Sequence, residues 1–166
     1  MSKREPTLTF LLEKPQHFFA LGFGSGLAPV APGTFGSIAS WPLYLLLSVW
    51  LTPMQVLLLA CVLFAVGVHF CTVAGKALGV VDHGAIVWDE IVACLLLYAA
   101  IPQTWLSQLV ALGLFRFFDI LKPWPIRWFD QKWKNGFGVM WDDLVAALMA
   151  WLSFLVLHAM FVREFH

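Results

Sequence analysis

From Met54 to Leu78 the chain is apolar apart from Gln55, His69, Thr72 and Lys76, and this stretch restricts the possible folds more than any other feature. At roughly 1.5 Å per residue, a helix over it crosses a hydrocarbon core of about 30 Å, and Lys76 near its end has the reach to snorkel to a polar surface. Four further apolar blocks, Phe35–Leu51, Trp88–Ile101, Thr104–Leu121 and Trp141–Val162, are separated by short polar or proline-containing stretches. With 61% hydrophobic and 12% charged residues and a mean hydropathy of +0.83, a soluble domain of 166 residues has no interior large enough for this surface. The expected fold is therefore all-α: a polytopic integral membrane helical bundle, one domain over residues 1–166, with about five membrane helices. Four is the fallback, because Trp88–Ile101 barely spans the core and a re-entrant hairpin would also fit it.

Local signals set the expected boundaries. Thr34 is placed to cap the first apolar helix, which stops at Thr52-Pro53, where proline suits the first turn of the next. Gly79-Val-Val-Asp-His-Gly84 reads as a loop, and Pro102 and the Lys122-Pro-Trp-Pro125 run break the later blocks. Met1–Lys14 is polar and lacks the pattern of a cleaved signal peptide. Cys61, Cys71 and Cys94 are odd in number and widely spaced, so they read as packed thiols, not as a disulfide framework or zinc site.

Five spans bring residues 22–36, 79–90 and 116–143 out on one side. Lys3, Arg4, Lys14, Lys76, Arg116, Lys122, Arg127, Lys132 and Lys134 fall on that side and Arg163 alone on the other, which makes the first side cytoplasmic by the positive-inside rule. Net charge is zero and the basic residues form no stripe, so nucleic acid is not an expected partner. Asp82, Asp89, Glu90, Asp119, Asp130, Asp142 and Asp143 gather on the same side, although topology does not require carboxylates there.

Asp89-Glu90 and Asp142-Asp143 open two of the expected helices, where capping would explain either pair. Two pairs at one face, with Asp82 and Asp119 alongside, also suit a divalent metal site, and oxygen ligands without a His or Cys cluster favour Mg²⁺ or Mn²⁺ over zinc. His17 and His83 show no ligand spacing and read as surface or hydrogen-bonding residues, while His69 and His158 fall inside apolar blocks. The glycine-rich segment 22–37, with Gly33, Thr34, Gly36 and Ser37 at its end, is either a flexible interfacial loop or a cradle for phosphate at a helix start. Arg116, Asp119 and Lys122 recur every third residue on one helical face, where cations are suited to hold phosphate oxygens and the carboxylate to orient them or join a metal shell. Trp124, Trp128, Trp133 and Trp141 read as an interfacial aromatic belt.

These segments, in this order, resemble the phosphatidylglycerophosphatase A family. The likeness covers most of the chain and rests on Phe-Gly-Ser-Gly at 23–26, Ala-Pro-Gly-Thr-Phe-Gly-Ser at 31–37, Asp82-His-Gly with Trp-Asp-Glu at 88–90, Arg116-x-x-Asp-x-x-Lys-Pro-Trp-Pro-Ile126, and Gly138-Val-Met-Trp-Asp-Asp143. Ala93 stands where the family typically carries glycine, a change expected to adjust only packing. The resemblance implies Mg²⁺-dependent removal of the terminal phosphate from phosphatidylglycerophosphate, giving phosphatidylglycerol, the step before cardiolipin, at the cytoplasmic face of a bacterial inner membrane. Residues and spacing alone reach only a metal-dependent enzyme for a phosphorylated lipid.

The expected assignments follow. Asp82, Asp89, Glu90, Asp142 and Asp143 are the candidate metal ligands, and Gly33, Thr34, Gly36, Ser37, Arg116 and Lys122 the candidate phosphate contacts. Asp89, Glu90, Asp119, Arg116 and Lys122 are the candidate catalytic groups, with a metal-activated water attacking phosphorus, a carboxylate taking its proton, and Arg116 or Lys122 stabilising the developing charge. An aspartyl-phosphate route lacks an Asp-x-Asp-x-Thr motif. The alternatives are a phosphatase for phosphatidate or an isoprenyl diphosphate, and a small cation transporter, which would hold its carboxylates nearer midmembrane. Nothing in the sequence assigns an oligomeric state.

Overall fold

The computed structural model describes residues 4–164, with side chains as far as Met160, so Lys3 and the Arg163 side chain lie outside the described part. Every regular element within it is helical: α1 (Leu8–Glu13), α2 (Pro15–Ala20), a 3₁₀ turn (Gly22–Leu27), α3 (Pro32–Ser48), α4 (Pro53–Leu78), α5 (Trp88–Ala99), α6 (Trp105–Leu121), α7 (Ile126–Lys132) and α8 (Gly136–Glu164).

The ends of these helices have identifiable local causes. Thr52 and Gln55 form a reciprocal capping box at the start of α4, and Gly79 ends it in the left-handed region at φ 76°. Thr104 accepts a hydrogen bond from the Ser107 amide to begin α6, which Lys122 closes at φ 41°, a conformation disfavoured for a residue with a side chain. α3 starts earlier than expected: Pro32 occupies its first turn, preceded by Ala31 at φ 48°, so Thr34 lies inside the helix and is not its cap. α8 also starts early. The Asn135 side chain accepts from the Gly138 amide at 2.9 Å, and Gly136 lies so close to Thr72 and the Val68 carbonyl of α4 that a Cβ would not fit. Asp142 and Asp143 consequently sit within α8 and do not open it.

α5 is the axis of the bundle, packed against α3, α4 and α8, with α6 lying along α8. Its residues Ile91, Val92, Cys94, Leu95 and Tyr98 are all fully enclosed. A second cluster, in which Phe10, Ala20 and Leu21 meet Cys71, Ala74, Leu78 and Trp88, fastens α1, α2 and the 3₁₀ turn to the end of α4 and the head of α5. Ala93 is buried in the main core, where a small side chain fits between helices. Cys71 and Cys94 are packed as expected, whereas Cys61 is exposed on the outside of α4.

Of the five expected spans, α4 and the Gly136–Met160 part of α8 are long and apolar enough to cross a membrane. The 17 residues each of α3 and α6 extend about 26 Å, and the 12 residues of α5 only about 18 Å. Leu58, Val62 and Val66 form an exposed apolar stripe along α4, and α8 exposes Leu148, Leu152 and Val156 in the same way.

Gly67 on α4 is a sensitive packing point, since a Cβ there would come within 2.6 Å of Trp88 Cδ1. The Trp88 ring is wedged among Phe19, Phe23 and Phe70, and its Nε1 donates to the Leu63 carbonyl at 3.3 Å, so it has little freedom to move aside. Gly67→Ala should destabilise the bundle by about 1–3 kcal/mol through overpacking, visible as a lower midpoint in thermal unfolding of the detergent-solubilised protein. An unchanged midpoint would show that the Trp88 box is loose.

Candidate active site at the head of the bundle

The first turn of α5 carries Asp89 and Glu90, both buried although charged residues are seldom enclosed without a partner. Asp143, also buried, reaches them from α8, and one carboxylate oxygen from each of the three lies within 4.8 Å of the others. Oδ1 of Asp89 and Oε2 of Glu90 are enclosed with no hydrogen-bond partner. Three carboxylates this close repel one another, and burial removes the water that would soften the repulsion. A small, hard cation would satisfy both the charge and the unpartnered oxygens, and an all-oxygen donor set fits Mg²⁺ or Mn²⁺.

Arg116 borders this group from α6. Its Nη1 is 2.6 Å from Asp119 Oδ2 and 3.6 Å from Glu90 Oε1, and it donates to Ser37 Oγ at 3.2 Å, while Nη2 donates to Thr34 Oγ1 at 3.3 Å. One guanidinium therefore ties α6 to α3 and to the carboxylate group. The position suits a residue that balances buried negative charge and presents N–H groups to an anion.

The expected glycine cradle takes a different form from a free loop. Gly33, Thr34, Gly36 and Ser37 lie in the first turns of α3, and the Thr34 and Phe35 amides are already bonded to the Ala31 carbonyl. The groups turned to Arg116 are the Thr34 and Ser37 hydroxyls, and Ser37 Oγ donates onward to the Gly33 carbonyl at 2.9 Å. The glycines set distance instead: a Cβ on Gly33 would collide with the Glu90 carboxylate, and one on Gly36 would come within 2.6 Å of Val87 Cβ.

Asp142 and Lys122 form a separate pair beside the three carboxylates. Lys122 Nζ is 2.6 Å from Asp142 Oδ2 and 3.2 Å from Asp130 Oδ1. Burial works against the ammonium charge, but Asp142 and Asp130 more than offset it and hold the group well above the ordinary lysine range. Asp82 lies in the exposed loop before α5, outside the three-carboxylate group, beside Asp130 and Lys134. Of the five candidate ligands, Asp89, Glu90 and Asp143 are thus brought together, while Asp142 is engaged by Lys122 and Asp82 stands apart. Asp130 had no expected role beyond its place on the charged face. Its bond to Lys122 crosses a proline turn and has no fixed spacing, and only the i,i+4 contact with Lys134 at 3.6 Å was available from sequence.

The four tryptophans divide into two kinds. Trp133 and Trp141 join Phe129 and Phe137 in an aromatic wall with centroids 5.1–6.0 Å apart, whereas Trp124 and Trp128 face outward. Of the histidines, His17 is buried and bonded through Nδ1 to the Phe10 carbonyl at 3.0 Å, and His83 accepts from the Ala85 amide at 3.1 Å.

Gly33→Ala should displace the Glu90 carboxylate without filling a cavity, and a misplacement of about 1 Å typically costs on the order of 100-fold in rate. The expected result is a loss of that size in kcat with a near-normal unfolding midpoint. A variant that keeps full activity would remove Glu90 from the active constellation.

The family model for phosphatidylglycerophosphatase A matches residues 18–158. Among curated relatives, a phosphatidylglycerophosphatase A of Haemophilus influenzae is 46% identical over 151 residues, covering 90% of this chain and 93% of its own. The Escherichia coli protein of that name is 43% identical, covering 84% and 81% respectively. A Bacteroides thetaiotaomicron protein provisionally named a phosphatidylinositol-3-phosphatase is 35% identical, covering 79% of this chain and 86% of its own. No solved structure matches the chain. With the family model covering most of its length and close relatives aligned nearly end to end, the chain belongs to the phosphatidylglycerophosphatase A family.

Proposed function

We propose that this protein is a multi-pass enzyme of a bacterial inner membrane that hydrolyses phosphatidylglycerophosphate to phosphatidylglycerol and inorganic phosphate at its cytoplasmic face. The observation that carries the reading is the buried group of Asp89, Glu90 and Asp143 bordered by Arg116 in a chain whose close relatives bear that activity in their names. α3 and α6 also expose apolar residues, among them Ile38, Leu45, Leu109 and Phe117, which favours lipid around them as well as around α4 and α8.

Asp89, Glu90 and Asp143 would hold Mg²⁺. Bound there, the ion would supply charge that neutralises phosphate oxygens and acidifies water. Arg116, steadied by Asp119, Thr34 and Ser37, is placed to bind the phosphate oxygens and to stabilise the charge that builds on them. In the reaction an oxygen–phosphorus bond forms from water and the bond from phosphorus to the glycerol oxygen breaks. The water proton passes to a carboxylate, and the leaving glycerol oxygen takes one up. Lys122, held by Asp142 and Asp130, adds positive charge beside the same group.

The Bacteroides relative favours one second reading, a phosphatase for another phosphorylated lipid such as a phosphoinositide. Purified protein in neutral detergent should release phosphate from phosphatidylglycerophosphate faster than from phosphatidylinositol 3-phosphate or phosphatidate, and release should stop in excess chelator. Full activity in chelator would remove the metal, and a preference for either other lipid would replace the substrate. For topology, single cysteines introduced at positions 82 and 130 should label from the same, cytoplasmic, side of sealed vesicles. Labelling from opposite sides would refute the arrangement.

A further inference from the structure

Beside the carboxylate group, the turn between α6 and α7 encloses an open cavity of about 440 Å³ lined by Leu121, Lys122, Trp124, Arg127, Trp128 and Gln131. Its walls include two tryptophans, Trp124 and Trp128, and two cations, Lys122 and Arg127. Trp124 is 80% exposed and Trp128 47%, and Lys132 Nζ sits 4.4 Å from the Trp128 ring centroid. Three other cations of this face are engaged by carboxylates, Arg116 by Asp119, Lys122 by Asp142 and Lys134 by Asp130, and Lys132 lies over the Trp128 ring. Arg127 is exposed and has no ion-pair or side-chain hydrogen-bond partner among the described residues. Its guanidinium is therefore free to bind an oxyanion through two parallel N–H groups.

Lys122 connects the two places. The same residue lines this cavity and reaches Asp142, the chain neighbour of Asp143, so one side chain links the cavity to the edge of the proposed cleavage site. Outward-facing tryptophans characteristically lie at headgroup level, which is the depth of a glycerophospholipid's own phosphodiester. The proposed substrate carries two phosphate groups joined by one glycerol, the monoester that is removed and the diester that stays. We infer that the Lys122–Arg127 cavity, with Trp124 and Trp128 as its lipid-facing wall, is the subsite for the diester phosphate of the substrate and selects lipids that carry a second phosphate. This inference rests on the function proposed above and adds the residue that reads the retained half of the headgroup.

The chemistry dictates a specific kinetic signature. The diester has the same charge before, during and after cleavage of the monoester, so Arg127 would bind ground state and transition state equally. Losing such contact raises KM and leaves kcat in place. In micelles of neutral detergent without other anionic lipid, Arg127→Gln should raise KM for phosphatidylglycerophosphate about tenfold, as expected for one charge-assisted contact, with kcat within about twofold. Arg127→Lys, which keeps the charge without the fork, should fall between. The inhibition constant of inorganic phosphate, which competes at the cleavage site, should not move. A second arm needs no turnover: short-chain phosphatidylglycerol, which carries only the diester, should bind the wild type and bind Arg127→Gln about tenfold more weakly by calorimetry. If the wild type binds this lipid but fails to hydrolyse phosphatidylglycerophosphate, the function is wrong and the subsite stands. An unchanged KM and unchanged lipid affinity in Arg127→Gln would overturn the subsite. So would a phosphate inhibition constant that rises in step with KM, because Arg127 would then act through the cleavage site.

Discussion

Three buried carboxylates held within 4.8 Å of one another at the head of an apolar bundle are the feature around which the rest of the structure is organised. In a low-dielectric setting the repulsion among Asp89, Glu90 and Asp143 is large, and two of their oxygens have no hydrogen bond to compensate. Such a group persists only where the surrounding fold fixes it and a counter-charge is available. The helices around α5 meet the first condition by enclosing nearly every residue between Trp88 and Tyr98. Arg116 meets part of the second, and the open donor set leaves room for a divalent ion to meet the remainder.

That electrostatic demand explains features that would otherwise be separate. Gly33 and Gly36 bring α3 against the head of α5 closely enough for Thr34 and Ser37 to steady the same guanidinium that borders Glu90. Lys122 ends α6 in a left-handed conformation unusual for lysine, which turns the chain toward α7 and aims its ammonium at Asp142 and Asp130. The two acidic pairs therefore have divided roles. Asp143 faces Asp89 and Glu90, while its neighbour Asp142 is neutralised by lysine.

Much of this is legible in the sequence, for physical reasons. Helix content and the position of α4 follow from hydropathy and from the Thr52-Pro53 and Gly79 end signals. The union of Asp89, Glu90 and Arg116 follows from charge collected on one side of a predicted bundle. Less was visible where close backbone approach governed the outcome. The early start of α8 rests on the Asn135 side chain capping the Gly138 amide and on Gly136 nesting against Thr72 and Val68, and the second, a tertiary contact, has no local sequence sign. That shift moved Asp142-Asp143 from the expected helix opening to its interior and separated the two residues' environments. The length of α5 was similarly deceptive, because an apolar run reads alike whether lipid or protein surrounds it, and 12 residues wrapped by four helices resemble a span in composition alone.

The central claim is that Asp89, Glu90 and Asp143, and not Asp142, form the metal-binding set. Manganese, a spectroscopic substitute for magnesium with the same preference for oxygen ligands, tests it directly through the loss of the free-ion electron paramagnetic resonance signal on titration into purified protein. Binding should be strong in the wild type and in Asp142→Asn, and at least about tenfold weaker in Asp89→Asn, Glu90→Gln and Asp143→Asn, because each loses a charged ligand. Equal manganese affinity in the wild type and in Asp89→Asn, Glu90→Gln and Asp143→Asn, or a loss confined to Asp142→Asn, would contradict the assignment.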